Sequence, residues 1–259
     1  MNEALKRKQI YILLTNEGSA TKSDIADKIC YAFESKGLKI AKYDGDNDHR
    51  SLYKKYGKKD KHGNLTGLND ALDGCYRFDI ETDNDIIVES IQTHCDYVLL
   101  DLPARSIDIT QRIFGDLDLF YTAFENNDAE LNVIIPVVSD KSMTSIKDIY
   151  ATISDVTLTN PINLILVKNT GYMKHLGTYA EVSHLYAELM EIIASNQQVN
   201  IIEVELKTIY DNKGVMAGLL KENKLGDILN QKHSIVVKTL LGQVQGDVER
   251  LYQALVSLI

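Results

Sequence analysis

Proline is scarce in this chain, three in 259 residues, so little interrupts long regular elements. Cysteine is equally scarce. Cys30, Cys75 and Cys95 are odd in number, far apart and form no CxxC pair, which argues against a disulfide framework or a zinc site and for reduced thiols. No apolar run approaches the roughly 20 residues that span a bilayer. Residues 1–9 are charged and carry no apolar core, so no signal peptide is expected either. The expectation is a cytoplasmic protein with no stable membrane insertion. Basic charge is in deficit, with 28 Lys+Arg against 37 Asp+Glu and a net charge of -9. That balance excludes a protein coating nucleic acid over its whole surface and still allows a local basic patch. The sequence contains no internal repeat and no low-complexity linker.

What is present is ordinary for a globular chain: 44% hydrophobic and 25% charged residues, with length enough to bury a core without staples. Short apolar runs read as strands at 10–14, 38–43, 97–100, 133–138, 162–167 and 201–204. Helical spacing appears at 22–35, around 88–91, and at 142–153, 179–194 and 242–258. Strands alternating with helices predict an α/β fold with a mostly parallel twisted sheet and helices on both faces. The whole chain, 1–259, reads as a single domain with a long insertion-like loop at about 44–83 that holds a short helix.

The chemistry concentrates where the first strand ends. After Thr15 comes Asn16-Glu17-Gly18-Ser19-Ala20-Thr21-Lys22-Ser23, and a helix begins. A phosphate-binding turn needs inward amides, then a lysine, then Ser or Thr at the helix start. Lys22 can reach β- and γ-phosphates, the Ser23 hydroxyl can bind magnesium, and the helix N-terminus adds positive partial charge beneath them. Asn16 and Thr21 stand where the template has glycines. A β-branched residue tolerates the left-handed region poorly, so either Thr21 sits at negative φ or the loop differs in shape from the template. The plain alternative is an ordinary polar turn capped by Thr21 or Ser23.

Two other strand ends bear on the same place. One reads Tyr43-Asp44-Gly45-Asp46, the other Asp96-Tyr97-Val98-Leu99-Leu100-Asp101-Leu102-Pro103. In a parallel sheet all strand C-termini face one crevice, so Lys22, Ser23, Asp44, Asp46 and Asp101 can converge on one magnesium–phosphate site. A carboxylate ending an apolar strand is placed to hold the metal directly or through water, which makes Ser23, Asp44 and Asp101 the candidate metal residues.

With these segments, DYVLLDLPA, LNVIIPVVSD and NLILVKN, the chain resembles the ParA/MinD family of deviant-Walker ATPases over roughly residues 9–170. The resemblance implies a magnesium-ATP switch that hydrolyses slowly, dimerises face to face and acts in plasmid stability or segregation. It implies that Lys22 and Asp46 are catalytic, Asp46 orienting the attacking water, and that Asp101 supports magnesium. Nucleotide would lie along Asn16, Glu17, Gly18, Ser19, Ala20, Thr21, Lys22 and Ser23, with Asn169 beside Lys168 contacting the base. A partner protein and DNA are further expectations. The chain departs from the family at Glu17, where relatives carry a second lysine that reaches across the dimer. A carboxylate there repels a triphosphate unless a cation intervenes, so Glu17→Lys is expected to strengthen association. A nucleotide-binding adaptor without hydrolysis, or a P-loop kinase or ligase, are the rival readings.

The lysines between 54 and 61 suit DNA, an acidic partner, nucleotide, or solvent alone. The stripe Leu240, Leu241, Val244, Val248, Leu251, Leu255 and Leu258 is amphipathic without a basic face, which favours core packing or self-association over a membrane surface.

Overall fold

The computed structural model describes residues 7–18, 21–114, 117–154, 161–193, 199–208, 218–220 and 223–257. Seven strands form its sheet: β1 (Lys8–Leu13), β2 (Ala41–Asp44), β3 (Tyr76–Arg77), β4 (Tyr97–Asp101), β5 (Ala129–Val137), β6 (Ile162–Asn169) and β7 (Val199–Leu206). Their order is β3-β2-β4-β1-β5-β6-β7, and every pair runs parallel. The helices are α1 (Lys22–Ser35), α2 (Ser51–Tyr56), α3 (Asp85–Glu89), α4 (Ser106–Phe114), α5 (Leu117–Glu125), α6 (Asp140–Ser154), α7 (Thr170–Leu176), α8 (Tyr179–Ile193), α9 (Leu225–Leu229) and α10 (Ile235–Val256).

The apolar runs become central strands because both sheet faces are covered. Along β1, Ile10 and Ile12 enter one core layer, while Tyr11 and Leu13 enter the other. The first layer takes residues of α3, α4, α5, α6 and α8. The second takes α1, α2, α9 and α10. The α/β class and parallel sheet expected from sequence are the ones observed.

Strand direction then makes the site. The chain leaves β1 into α1 on one face and leaves β4 toward α4 on the other. β1 and β4 are adjacent, with Leu13 opposite Asp101. Their loops therefore part at this point and open a crevice at the strands' C-terminal ends.

Several boundaries differ from the sequence reading. The 44–83 stretch is not one loop. It contains α2, the edge strand β3, and a small hairpin closed by an antiparallel bridge between Lys59 and Leu65. Its two-residue strand is too short to show a period. α4 and α5 occupy a region where no element was expected. α10 begins at Ile235 rather than 242, where Ser234 caps it by accepting the Val237 amide at 3.4 Å. Its Leu241, Val244, Val248, Leu251 and Leu255 are buried against α1 and β7, each worth roughly 1.5–3 kcal/mol relative to exposure. The C-terminal stripe is thus core, and Leu258 lies outside the described residues. Cys30 and Cys75 are buried free thiols, and Cys95 is half-buried and also free.

Candidate functional site

The turn after β1 is fixed from its first residue. The Thr15 amide donates to Ser106 Oγ at 3.2 Å, and the Glu17 amide donates to Thr15 Oγ1 at 3.0 Å. Asn16 is tied on both sides: its amide donates to Ser145 Oγ at 3.2 Å, and its Nδ2 donates to Asp108 Oδ1 at 2.8 Å. The Glu17 carboxylate accepts from Ser139 Oγ at 2.8 Å and Ser142 Oγ at 3.0 Å. These serines bracket the start of α6, where the helix dipole also favours negative charge. Gly18 is exposed. Ser19 and Ala20 lie outside the described residues. Ser106, Ser139, Ser142 and Ser145 were not singled out from sequence, although Ser139, Ser142 and Ser145 recur at a spacing of three, one face of a helix start.

Thr21 is not at negative φ. It sits at φ 62° and ψ 16°, in the left-handed region. For a β-branched residue this costs about 1–2 kcal/mol, and the surroundings impose it. The Thr21 carbonyl accepts the Ile25 amide at 3.0 Å to open α1, and its hydroxyl accepts from Asn169 Nδ2 at 3.4 Å. Thr21 makes no side-chain cap, so the plain capped-turn alternative fails at this residue.

Lys22 is only 8% exposed, and among the described residues no carboxylate pairs with it and no acceptor takes its hydrogen bonds. Asp101 is 2% exposed, and its Oδ1 is buried with no hydrogen-bond partner. Burial pushes the Asp101 carboxyl up. The Lys22 ammonium pulls it back, the Asp46 charge pushes it further, and the Ser23 hydroxyl helps hold it down. Lys22, Ser23, Asp46 and Asp101 thus share one field at the mouth of the β1–β4 crevice.

Asp44 lies beside Asp101 in the sheet register and is fully buried. Burial first, then the Asp101 charge, raises its pKa, against the amides of Tyr53 and Asp46. Those amides occupy both oxygens: Tyr53 N on Oδ2 at 2.7 Å and Asp46 N on Oδ1 at 3.0 Å. Asp44 therefore braces the β2–α2 corner through both oxygens. Gly45 is required beside it, because a Cβ there would lie 2.9 Å from the Phe78 ring. Asp46 Oδ1 accepts the amides of Asp48 and His49 at 3.1 and 3.0 Å, which leaves chemistry to Oδ2. Among the described residues no three His, Cys, Asp or Glu side chains are grouped to hold a metal by themselves.

Asn169 ends β6 fully buried. Its Oδ1 accepts the Tyr172 amide at 3.1 Å to cap α7, and its Nδ2 meets Thr21. Lys168 is engaged by Glu203 at 2.5 Å. The lysine run also divides. Lys55 is buried on Asp27 at 2.5 Å, Lys58 pairs with Asp70 at 2.7 Å, and Lys54, Lys59 and Lys61 are exposed. Solvation alone does not describe the run.

No family model matches the chain, and no curated protein matches it. Among solved structures, a plasmid partition protein from Borrelia burgdorferi B31 bound to AMPPNP is similar at 15% identity and TM-score 0.44, covering 96% of this chain and 99% of that one. The MinC:MinD cell division protein complex of Aquifex aeolicus is similar at 17% identity and TM-score 0.42, covering 94% and 95%. The signal recognition particle receptor FtsY of Elizabethkingia anophelis, in complex with GDP, is similar at 14% identity and TM-score 0.38, covering 79% and 58%. The function proposed below rests on the residues just described and not on these likenesses. Among the described residues no helix is long and apolar enough to cross a membrane.

Proposed function

We propose that this chain is a nucleotide-dependent switch of the ParA/MinD kind, which binds magnesium-ATP at the 16–23 turn, hydrolyses it slowly and couples its state to self-association in plasmid stability or segregation. The observation that carries the reading is the juxtaposition of Lys22, a buried cation with no ion pair or hydrogen bond among the described residues, and Asp101, a buried carboxylate within its field that has an orphaned oxygen. A polyphosphate with its metal ion satisfies both, so the residues present fit the group. When bound, magnesium nucleotide supplies the negative charge for Lys22 and a cation for the Ser23 hydroxyl and Asp101. Lys22 binds and orients phosphate, and Asp46 orients water through Oδ2. The α1 N-terminus adds its dipole, and Asn169 holds the turn in shape from β6.

A second reading, an adaptor that binds nucleotide without hydrolysing it, is favoured by one observation: Glu17 is tied within its own chain and supplies no positive charge to a second site. Phosphate release by the wild-type chain and by Asp46→Ala, with and without DNA, separates the two. Slow release that Asp46→Ala abolishes while nucleotide binding persists supports the switch. No release above background, with binding intact, supports the adaptor.

A further inference from the structure

A second feature stands apart from the phosphate turn. Between α2, the Lys59–Leu65 hairpin and α9 runs a groove of about 480 Å³, whose walls include Tyr56, Lys58, Lys59, Leu68, Asp73 and Lys224. The hairpin that forms one wall is held by its own bonds. The Asp60 carboxylate accepts the amides of His62 and Asn64 at 2.8 and 2.9 Å, and the Thr66 amide donates to the Lys58 carbonyl at 2.9 Å.

The groove carries more lysines than carboxylates in a chain of net charge -9: Lys55, Lys58, Lys59 and Lys224 line it against Asp73. Lys58 is neutralised by Asp70. Lys59 and Lys224 have no carboxylate partner among the described residues, and the Lys224 ammonium lies over the Tyr56 ring, 4.8 Å from its centroid. An acidic ligand is thus repelled by most of the molecule and drawn here. The walls also include an exposed leucine. Leu68 is 60% exposed, and Leu65 and Leu72, which flank groove residues, are 38% and 36% exposed. Exposed leucines give nothing to a nucleic-acid backbone, and the aromatic ring in the wall, Tyr56, is buried and offers no face for a base to stack on. Lysines with an exposed leucine in the same walls suit a ligand that is acidic and apolar together.

We propose that this groove is a docking site for an acidic segment of a partner protein, one that carries leucine-like side chains among its carboxylates. Lys59 and Lys224 receive the carboxylates, and Leu68 receives an apolar side chain. Lys55 joins the floor to α1 through Asp27, so the docking wall is bonded to the helix that opens with Lys22. The proposal does not depend on the nucleotide reading.

The test immobilises the full chain and selects from a displayed library of random dodecapeptides, with Lys59→Glu/Lys224→Glu and Leu68→Ser as separate variants. Lys59 and Leu68 are exposed and Lys224 is half-buried, and circular dichroism confirms folding of each variant. The expected result is enrichment of peptides combining Asp or Glu with Leu, Ile or Phe. Their affinity is expected to fall about tenfold or more in each variant, and added salt weakens wild-type binding. Three results overturn the proposal: no enrichment over the charge-reversed variant, enriched peptides without acidic residues, or peptides indifferent to both variants. A labelled oligonucleotide that binds the wild type and is lost in the charge variant, with no peptide enriched, reassigns the groove to nucleic acid.

Discussion

Ser142 Oγ donates to Glu17 Oε2 at 3.0 Å while accepting the amides of Val138 and Ser139 at 3.1 and 3.2 Å. One hydroxyl therefore joins the turn after β1 to the β5–α6 corner. Glu17 is thus a tether within its own chain. Ser139→Ala/Ser142→Ala removes two hydrogen bonds to a charged group, each worth about 1.5–3 kcal/mol. The double variant is expected to unfold at lower urea by at least the equivalent of one such bond. A midpoint unchanged from wild type would show that the tether does not form.

Glu17→Lys was expected from sequence to convert repulsion into attraction between copies. The structure adds a cost, because the substitution breaks the tether and places a cation at the positive end of α6. The variant is expected to lose about 1–3 kcal/mol of stability, whatever it gains in association. Glu17→Gln keeps an acceptor and loses less. Urea unfolding of the pair decides it: Glu17→Lys as stable as Glu17→Gln would contradict the account.

Thr21 holds a left-handed backbone that glycine adopts without penalty. Thr21→Gly relieves about 1–2 kcal/mol of strain and adds about 0.4–1 kcal/mol of unfolded-state entropy. The net expectation is a gain of about 0–1.6 kcal/mol, a rise of up to roughly 3–6 °C in Tm for a chain of this size. Thr21→Ala keeps the strain and gains nothing. Scanning calorimetry that finds the glycine variant less stable than wild type would sink the idea.

The Asp27 carboxylate is 2.5 Å from Lys55 Nζ and 2.7 Å from the Tyr56 hydroxyl, all three side chains buried. Asp27→Ala leaves Lys55 buried and unpaired, which costs about 3–5 kcal/mol. A loss below about 1 kcal/mol in chemical denaturation would mean that Lys55 finds water instead.

Asp44 and Asp101 titrate above the ordinary carboxylate range because they are buried together. The sign follows from linkage. Their folded pKa values are raised, so the native state binds these protons more tightly than the unfolded chain does. Their contribution to stability is present at low pH and falls as pH rises from about 4 toward neutrality. Asp101→Asn is expected to flatten that fall and to be more stable than wild type at pH 8, by about 1.4 kcal/mol for each unit by which the pKa is raised, while losing magnesium-dependent nucleotide binding. Parallel pH profiles for the two proteins would contradict this.

Much of the frame was legible because strands buried on both faces read as unbroken apolar runs and α1 carries a clean helical period. Lys22, Ser23 and Asp101 were legible because strand ends in a parallel sheet share one crevice. What stayed hidden is tertiary. Ser139 and Ser142 lie 122 and 125 residues from Glu17, and nothing local marks them as its partners. Thr21 is forced left-handed by bonds to Asn169 and Ile25 against its own preference. Nothing in the sequence shows that Asp44 also holds the amides of Asp46 and Tyr53. The lysine run looks uniform, yet two of its members are committed to Asp27 and Asp70.

The most direct test is calorimetric titration of magnesium-ATP into the wild-type chain and Lys22→Ala. The wild type is expected to bind one nucleotide per chain, and the variant to lose about 1.5–3 kcal/mol, roughly one to two decades in affinity. Equal affinities, or no binding by the wild type, would contradict the assignment of the 16–23 turn as a phosphate site.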